Sequence, residues 1–432
     1  MDLKELYLKK RMSAGDIASQ IGSGECVHTD LAAAIPPGII QALAKRAKSG
    51  EVKDVKLYTS LDIGQYECLD EEALKNITPI SWFSSGRLAK MINAARADII
   101  PCNYSSMPAL HALTPVDVMV AVVSPMDRHG YFSTGGSASF SQSVIDRAKK
   151  IYLEVCPWMP RALTGPIIHI SQVDGVFESD APLVELPKPP IDEISKKIGE
   201  LMAEEVPNGA TIQMGIGAVP EAFGMALLDK KDMGIHTELL TESMIDMIEA
   251  GAVTNLQKPI HRGRTVATLA FGSKKVLDYI NDNPACEMLT VDYVNNPAVI
   301  AMHPNFISVN AALEVDFYGQ VCAESVGTRH VSGSGGQLDY VRGAVASKGG
   351  CSYIAFSSTA KNDTITKIKP TLTPGACVTT GKNEVDCIVT EYGIARLRGK
   401  PLSERTKALI SIAHPKFREE LTYEAKKQNI II

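Results

Sequence analysis

The 432-residue chain lacks most of the signatures from which chemistry is usually read. Its nine cysteines are scattered from Cys26 to Cys387 without a Cys-x-x-Cys pair. That spacing excludes a disulfide framework and a thiolate zinc site, and it fits a reducing cytoplasm. Nine histidines include no His-Glu-x-x-His and no paired spacing, so no resident metal is expected. There is no Gly-x-Ser-x-Gly elbow, and no serine or cysteine carries a recognisable partner, so a serine or cysteine hydrolase gains little support. No apolar run approaches the roughly 20 residues that span a bilayer. The start, Met1-Asp2-Leu3-Lys4-Glu5, is too polar for a secretory signal. With a formal net charge of −5 the chain has no basic footprint, so neither nucleic acid nor an anionic membrane is an expected partner.

What is present describes a globular protein of two domains. The length exceeds one ordinary core. Pro187, Pro189 and Pro190 stand within four positions, forbid helix and favour an extended connection. The expected division is therefore 1–187 and 188–432. Short β-branched runs, such as Val116–Val123, Lys150–Val155 and Phe306–Asn310, alternate with amphipathic stretches such as Glu221–Leu228, which Pro220 would start from a first-turn position. Alternation of this kind predicts an α/β fold with largely parallel sheets covered on both faces.

The two halves repeat one pattern. Ser23-Gly24, Cys26-Val27-His28, Ala34-Ile35-Pro36 and Leu57-Tyr58-Thr59-Ser60 in the first are matched by Asn208-Gly209, Thr211-Ile212-Gln213-Met214, Ala218-Val219-Pro220 and Gly234-Ile235-His236-Thr237-Glu238 in the second. Asp127-Arg128-His129-Gly130-Tyr131 likewise mirrors Asp316-Phe317-Tyr318-Gly319-Gln320. Internal duplication predicts two similar open α/β domains, which bind ligands at their strand ends. Only the second copy has an acid after its threonine, and that acid is Glu238.

Residue types alone leave the site open. Gly215-Ile216-Gly217-Ala218-Val219-Pro220 follows a strand and opens a helix, but it lacks the third glycine of a dinucleotide fingerprint. What remains is a turn that lets a ligand approach backbone and first-turn amides. Glu238 is either a carboxylate at a strand end or the acid of a helix N-terminus near Thr241. Glu391, in Val389-Thr390-Glu391-Tyr392-Gly393, is its rival. Asn295-Asn296-Pro297 and the Gly335-Gly336 loop are either donors to an oxyanion or ordinary turns.

Taken together, Gln213–Pro220, Gly234–Glu238, Asn310–Gln320, Gly335–Tyr340, Val389–Ala395 and Ile412-Ala413-His414-Pro415 make the chain resemble the class I CoA-transferases of the acetyl-CoA hydrolase/transferase family, most nearly the 4-hydroxybutyrate branch. The resemblance implies two tandem NagB/RpiA-like domains, an N-terminal one shaping the acyl pocket and a C-terminal one carrying the nucleophile. It implies Glu238 as nucleophile, oxyanion and CoA contacts from Asn295 and Gly336, and a site lined by Gln213, Gly215, Gly217, Gly335 and Gln337. It further implies CoA as a substrate rather than a cofactor, an acyl-CoA and a short-chain carboxylate as partners, and a dimer or tetramer in the cytoplasm. The segments Thr29–Pro37 and Phe83–Tyr104 depart from the 4-hydroxybutyrate pattern, which leaves butyrate and itaconate as alternative acids. An acyl-CoA hydrolase and a non-catalytic CoA-binding sensor are the remaining alternatives. A glutamate with an ordinary pKa near 4.3 is expected to attack without a general base, and catalysis should be ping-pong through a glutamyl-CoA thioester.

Overall fold

The computed structural model describes residues 2–432; Met1, where the expected first domain begins, lies outside the described residues. The chain separates into two compact units. One comprises the segment up to Leu186 together with Val266–Tyr293, and the other Pro187–Thr265 with Val294–Ile432. Residues 179–192, which include the proline cluster, form neither helix nor strand.

The first unit is built on β1 (Cys26–Leu31), β2 (Val55–Ser60), β3 (Ile77–Ser81), β4 (Asp98–Ile99), β5 (Val118–Val123), β6 (Lys150–Val155) and β7 (Gly175–Glu178). They form one sheet in the order β4-β3-β2-β1-β5-β6-β7, parallel throughout. Every residue of β1 and β5 is buried, as expected of parallel strands covered on both faces. Ile39 and Leu43 of the helix Pro37–Ser49 pack on Val27, Val118 and Val120.

The second unit carries β8 (Thr211–Met214), β9 (Gly234–Leu240), β10 (Phe306–Ala311), β11 (Cys351–Ala355), β12 (Cys387–Thr390) and β13 (Gly393–Arg396). Their order is β9-β8-β10-β11-β12-β13, parallel except for the last pair. Its first five strands run in the same order as β2-β1-β5-β6-β7 of the first unit. The matched turns also coincide atom for atom. Asp127 Oδ1 accepts the amides of His129 and Tyr131 around Gly130 at φ 86°, and Asp316 Oδ1 accepts those of Tyr318 and Gln320 around Gly319 at φ 85°. The duplication read from sequence is thus a duplication of topology.

The expected division into 1–187 and 188–432 is not a single cut, since Val266–Tyr293 groups with the first unit, and two element boundaries also differ from the sequence reading. The helix expected over Glu221–Leu228 runs Ala218–Ala226. Gly217, at φ 130°, turns the chain there and serves as N-cap, which places Pro220 third in the helix. Strand β9 continues two residues past Glu238, and Thr241 caps the helix Glu242–Glu249. Glu238 is therefore a strand residue and not the first-turn acid of a helix.

Candidate active site

Three segments of the second unit converge on the Glu238 carboxyl group. The first is β9, which carries Glu238 near its carboxyl end. The second is Asn295-Asn296-Pro297. Pro297 begins the short helix Pro297–Ala301 and the Asn296 side chain caps it by accepting the Ala298 amide. Asn295, fully buried just before that cap, donates from Nδ2 to Glu238 Oε2 at 2.6 Å. The third is the Gly335-Gly336 loop. Gly335, at φ 55°, adopts the left-handed conformation that glycine tolerates best. Gly336 is the N-cap of the helix Gln337–Ala346, and its N–H also bonds the Glu238 carboxyl.

The approach at Gly336 leaves no room for a side chain. A Cβ there would overlap Glu238 Oε2 and Asn295 Nδ2 and would lie 3.2 Å from Glu238 Cδ. Gln337 fixes the loop from below. It donates from Nε2 to the Ala311 carbonyl at 2.7 Å and accepts from the Thr380 hydroxyl at 2.9 Å. Gln213 lies buried on β8, with no partner for its Oε1 among the described residues. Because Thr211 and Ile212 pair with Gly234 and Ile235, continuing that register sets Gln213 beside His236, on the sheet face that also carries Glu238.

Burial raises the Glu238 pKa from its ordinary value to about 7, with Asp339 on the adjoining helix adding repulsion. The Asn295 and Gly336 donors pull it part of the way back. This corrects the expectation that the glutamate is ionised at neutral pH without help. Removing a carboxylate from water costs more than two donors return. Glu391 is placed differently. Both of its oxygens are taken by Ser358, one by the amide at 2.9 Å and one by the hydroxyl at 2.5 Å.

Gly217 and its neighbours line a separate cavity of about 520 Å³, with Ala355, Phe356, Lys361 and Lys367 on its other walls. Gly215 stands at the strand side of the same turn, its amide bonded to the Val309 carbonyl. The first copy shows what this turn does when closed. There Glu154, near the end of β6, accepts the amides of Gly38 and Ile39 in the first turn of the helix Pro37–Ser49, at 3.0 and 3.2 Å. The cleft beside it holds only about 20 Å³. Tyr152 and Tyr353 occupy matching positions on the two matching strands, so the second copy has Ala355 where the first has Glu154. No sequence motif flagged this difference, although the strand alignment could have.

One further grouping of ligand-type side chains exists among the described residues, Cys351, Asp386 and Cys387, with ligand atoms within 4.8 Å of one another. It lies at the amino ends of β11 and β12, the far end of the strands from Glu238, and Arg396 already sets a guanidinium 3.6 Å from Cys387 Sγ. No described helix is long and apolar enough to cross a membrane.

A half-buried carboxylate held between two amide donors is an arrangement that can stabilise negative charge developing at its carboxyl group. Residues 1–186 match the acetyl-CoA hydrolase/transferase N-terminal domain and residues 272–425 the C-terminal domain. The chain belongs to that family. It is 43% identical over 429 residues to the succinyl-CoA:cyclohexane-1-carboxylate CoA transferase of Geobacter metallireducens, covering 98% of this chain and 97% of that one. To the 4-hydroxybutyrate coenzyme A transferase of Clostridium kluyveri it is 40% identical over 430 residues, covering 99% and 100%. The crystal structure of RipA from Yersinia pestis superposes with a TM-score of 0.95 at 38% identity, covering all of both chains.

Proposed function

We propose that this CoA-transferase moves CoA from an acyl-CoA to a short-chain carboxylate by ping-pong catalysis through Glu238. The observation that carries the reading is the convergence of the Asn295 Nδ2 donor and the Gly336 amide on one carboxyl group. With one oxygen held, the other is presented as the nucleophile. Its attack on the thioester carbonyl expels CoA thiolate and leaves an acyl-glutamyl anhydride. The thiolate then adds to the glutamyl carbonyl, whose oxygen is the Oε2 that Asn295 already holds. Collapse releases the free acid and leaves a glutamyl-CoA thioester. A second carboxylate reverses the sequence, and no general base is consumed. Donors fixed before the charge develops cost no reorganisation when it does.

The raised pKa has a place in this scheme. An anion destabilised by burial is a stronger nucleophile than a solvated one, and attack relieves the cost. The Gly217 turn would take a charged part of CoA. Its first-turn amides face a cavity bearing Lys361 and Lys367, and the carboxylate that fills this place in the first copy is missing. Gln213, Gly335 and Gln337 are assigned to shaping the Glu238 site, and Gly215 to the turn that leads into the separate Gly217 cavity. For the acid, 4-hydroxybutyrate is the reading, with butyrate or itaconate as alternatives. A homodimer or homotetramer in the cytoplasm is proposed on the family resemblance.

The decisive experiment incubates the enzyme with acyl-CoA and no acceptor, then adds borohydride. The thioester should be reduced to an alcohol in the peptide containing His236-Thr237-Glu238, with loss of activity. Loss of acyl-CoA without a modified peptide would mean direct hydrolysis. Binding without either would mean a sensor, and modification at Glu391 or a cysteine would refute the assignment. A panel of 4-hydroxybutyrate, butyrate, itaconate and propionate with acetyl-CoA or succinyl-CoA then identifies the acid.

A further inference from the structure

His236 is the fully buried residue two positions before Glu238 on β9, so its ring leaves the strand on the same face as the carboxylate. Its Nε2 lies 2.7 Å from the Val294 carbonyl oxygen. A carbonyl can only accept, so Nε2 carries the proton and the ring is a donor there. Burial, with His303 and the Lys258 ammonium nearby, holds the imidazole pKa well below its usual value and keeps the ring neutral. Nδ1 has no partner among the described residues. The ring is packed by His303 at a centroid distance of 4.8 Å and by Phe306 at 6.3 Å. The hydroxyl of Tyr340, also fully buried, approaches the same Val294 oxygen at 3.5 Å.

Val294 immediately precedes Asn295, whose Nδ2 holds Glu238 Oε2. The peptide group between them is thus pinned at its oxygen by a side chain of the strand that carries the nucleophile. The strand is tied to the donor loop at two adjacent residues, by His236 at the Val294 oxygen and by Glu238 at the Asn295 side chain. We propose that His236 is a positioning residue that sets the Asn295 amide against the Glu238 carboxyl group, and that it acts only through Asn295. This rests on the reading of Glu238 and Asn295 given above. The ring neither touches substrate nor exchanges a proton. Its contribution is geometric, because an oxyanion donor displaced by about 1 Å loses much of its effect.

The test is a double-mutant cycle on the full chain with variants H236A, N295A and H236A/N295A, in which both kcat and KM for acyl-CoA are measured. For H236A, turnover is expected to drop by roughly 10- to 100-fold, with KM for acyl-CoA within about twofold of wild type. In the N295A background the same change should cost no more than about twofold, since the donor being positioned is gone. H236Q, which keeps a neutral donor on a side chain of similar reach, should recover part of the lost turnover. Because a displaced Asn295 no longer lowers the Glu238 pKa, H236A should also move the acidic limb of the pH profile upward. An equal loss in both backgrounds would overturn the proposal, because a packing role adds independently of Asn295. An acidic limb unmoved in H236A would also overturn it, since Asn295 would then still hold the carboxyl group as in wild type. If H236A fails to fold by circular dichroism, H236F and H236F/N295A, which fill the space of the ring but lack its donor, close the same cycle with the same criteria. Wild-type turnover in N295A would sink the underlying reading of the site, an outcome distinct from additivity.

Discussion

Asn295 Nδ2 meets Glu238 Oε2 at 2.6 Å across 57 residues of sequence. In the proposed mechanism Oε2 is the oxygen held by this pair. Removing the donor should leave the nucleophile in place but its tetrahedral intermediates exposed. Asn295→Ala is expected to lower turnover by about 10²–10³-fold, the usual cost of one oxyanion donor. Unchanged steady-state turnover would dissociate the pair from catalysis.

Glu238→Ala should abolish transfer while leaving the circular dichroism spectrum intact. Glu238→Asp should also be poor, since it withdraws the carboxylate by roughly one carbon–carbon bond and reacting geometry tolerates about 1 Å. Retention of more than a few per cent of turnover by the alanine variant would remove Glu238 from the mechanism.

A side chain at Gly336 would fall on the Glu238 and Asn295 atoms. Gly336→Val is expected to slow turnover by at least about 100-fold, as a displaced donor does, because either the carboxylate or the loop must move. Normal kinetics with acyl-CoA in this variant would place the loop away from the site.

The Glu238 pKa of about 7 makes two pH predictions. As a nucleophile it reacts deprotonated, so kcat/KM for acyl-CoA should fall about tenfold per pH unit below 7. For stability the sign is opposite to that of a paired surface acid. The folded state binds the proton more tightly than the unfolded one, so stability is lost as pH rises from about 4.5 to 7. Glu238→Gln should therefore gain in unfolding free energy over wild type as pH increases from 5 to 8, measured by denaturant melts at each pH. The gain is on the order of 1–2 kcal/mol once the residue's exposed edge is allowed for. A flat difference across that range would mean that the carboxyl is not destabilised by burial.

The contrast between Glu154 and Ala355 can be transplanted. Ala355→Glu should place a carboxylate against the first turn of the helix Ala218–Ala226, as Glu154 does in the first copy. The expected effect is at least a tenfold rise in KM for acyl-CoA with kcat within about threefold, because binding is lost without loss at the reacting centre. An unaltered KM would show that CoA does not use this cavity.

Much of this is legible in the chain itself. Strand and helix identity follow from local periodicity, and the Thr59-Ser60 and Thr237-Glu238 contrast singles out one acid because both copies share a strand pattern. The turns at Asp127 and Asp316 are readable for the same reason, since each is closed by its own side chain and glycine. Boundaries are less legible. The helix begins at Ala218, two residues before Pro220, because Gly217 at φ 130° turns the chain there, and β9 runs two residues past Glu238.

Sequence by itself determined the duplication, the α/β class and the short list of acids and donors, all of which are local or periodic properties. Tertiary structure alone decided that Asn295 and Gly336 meet on Glu238 while Ser358 occupies Glu391. It alone raised the Glu238 pKa, tied His236 to Val294, and opened beside Gly217 the space that Glu154 closes in the first copy. Each of these depends on which strand ends lie side by side and how much water they exclude. Those quantities are fixed by register and packing between distant segments, and no single stretch of the chain carries them.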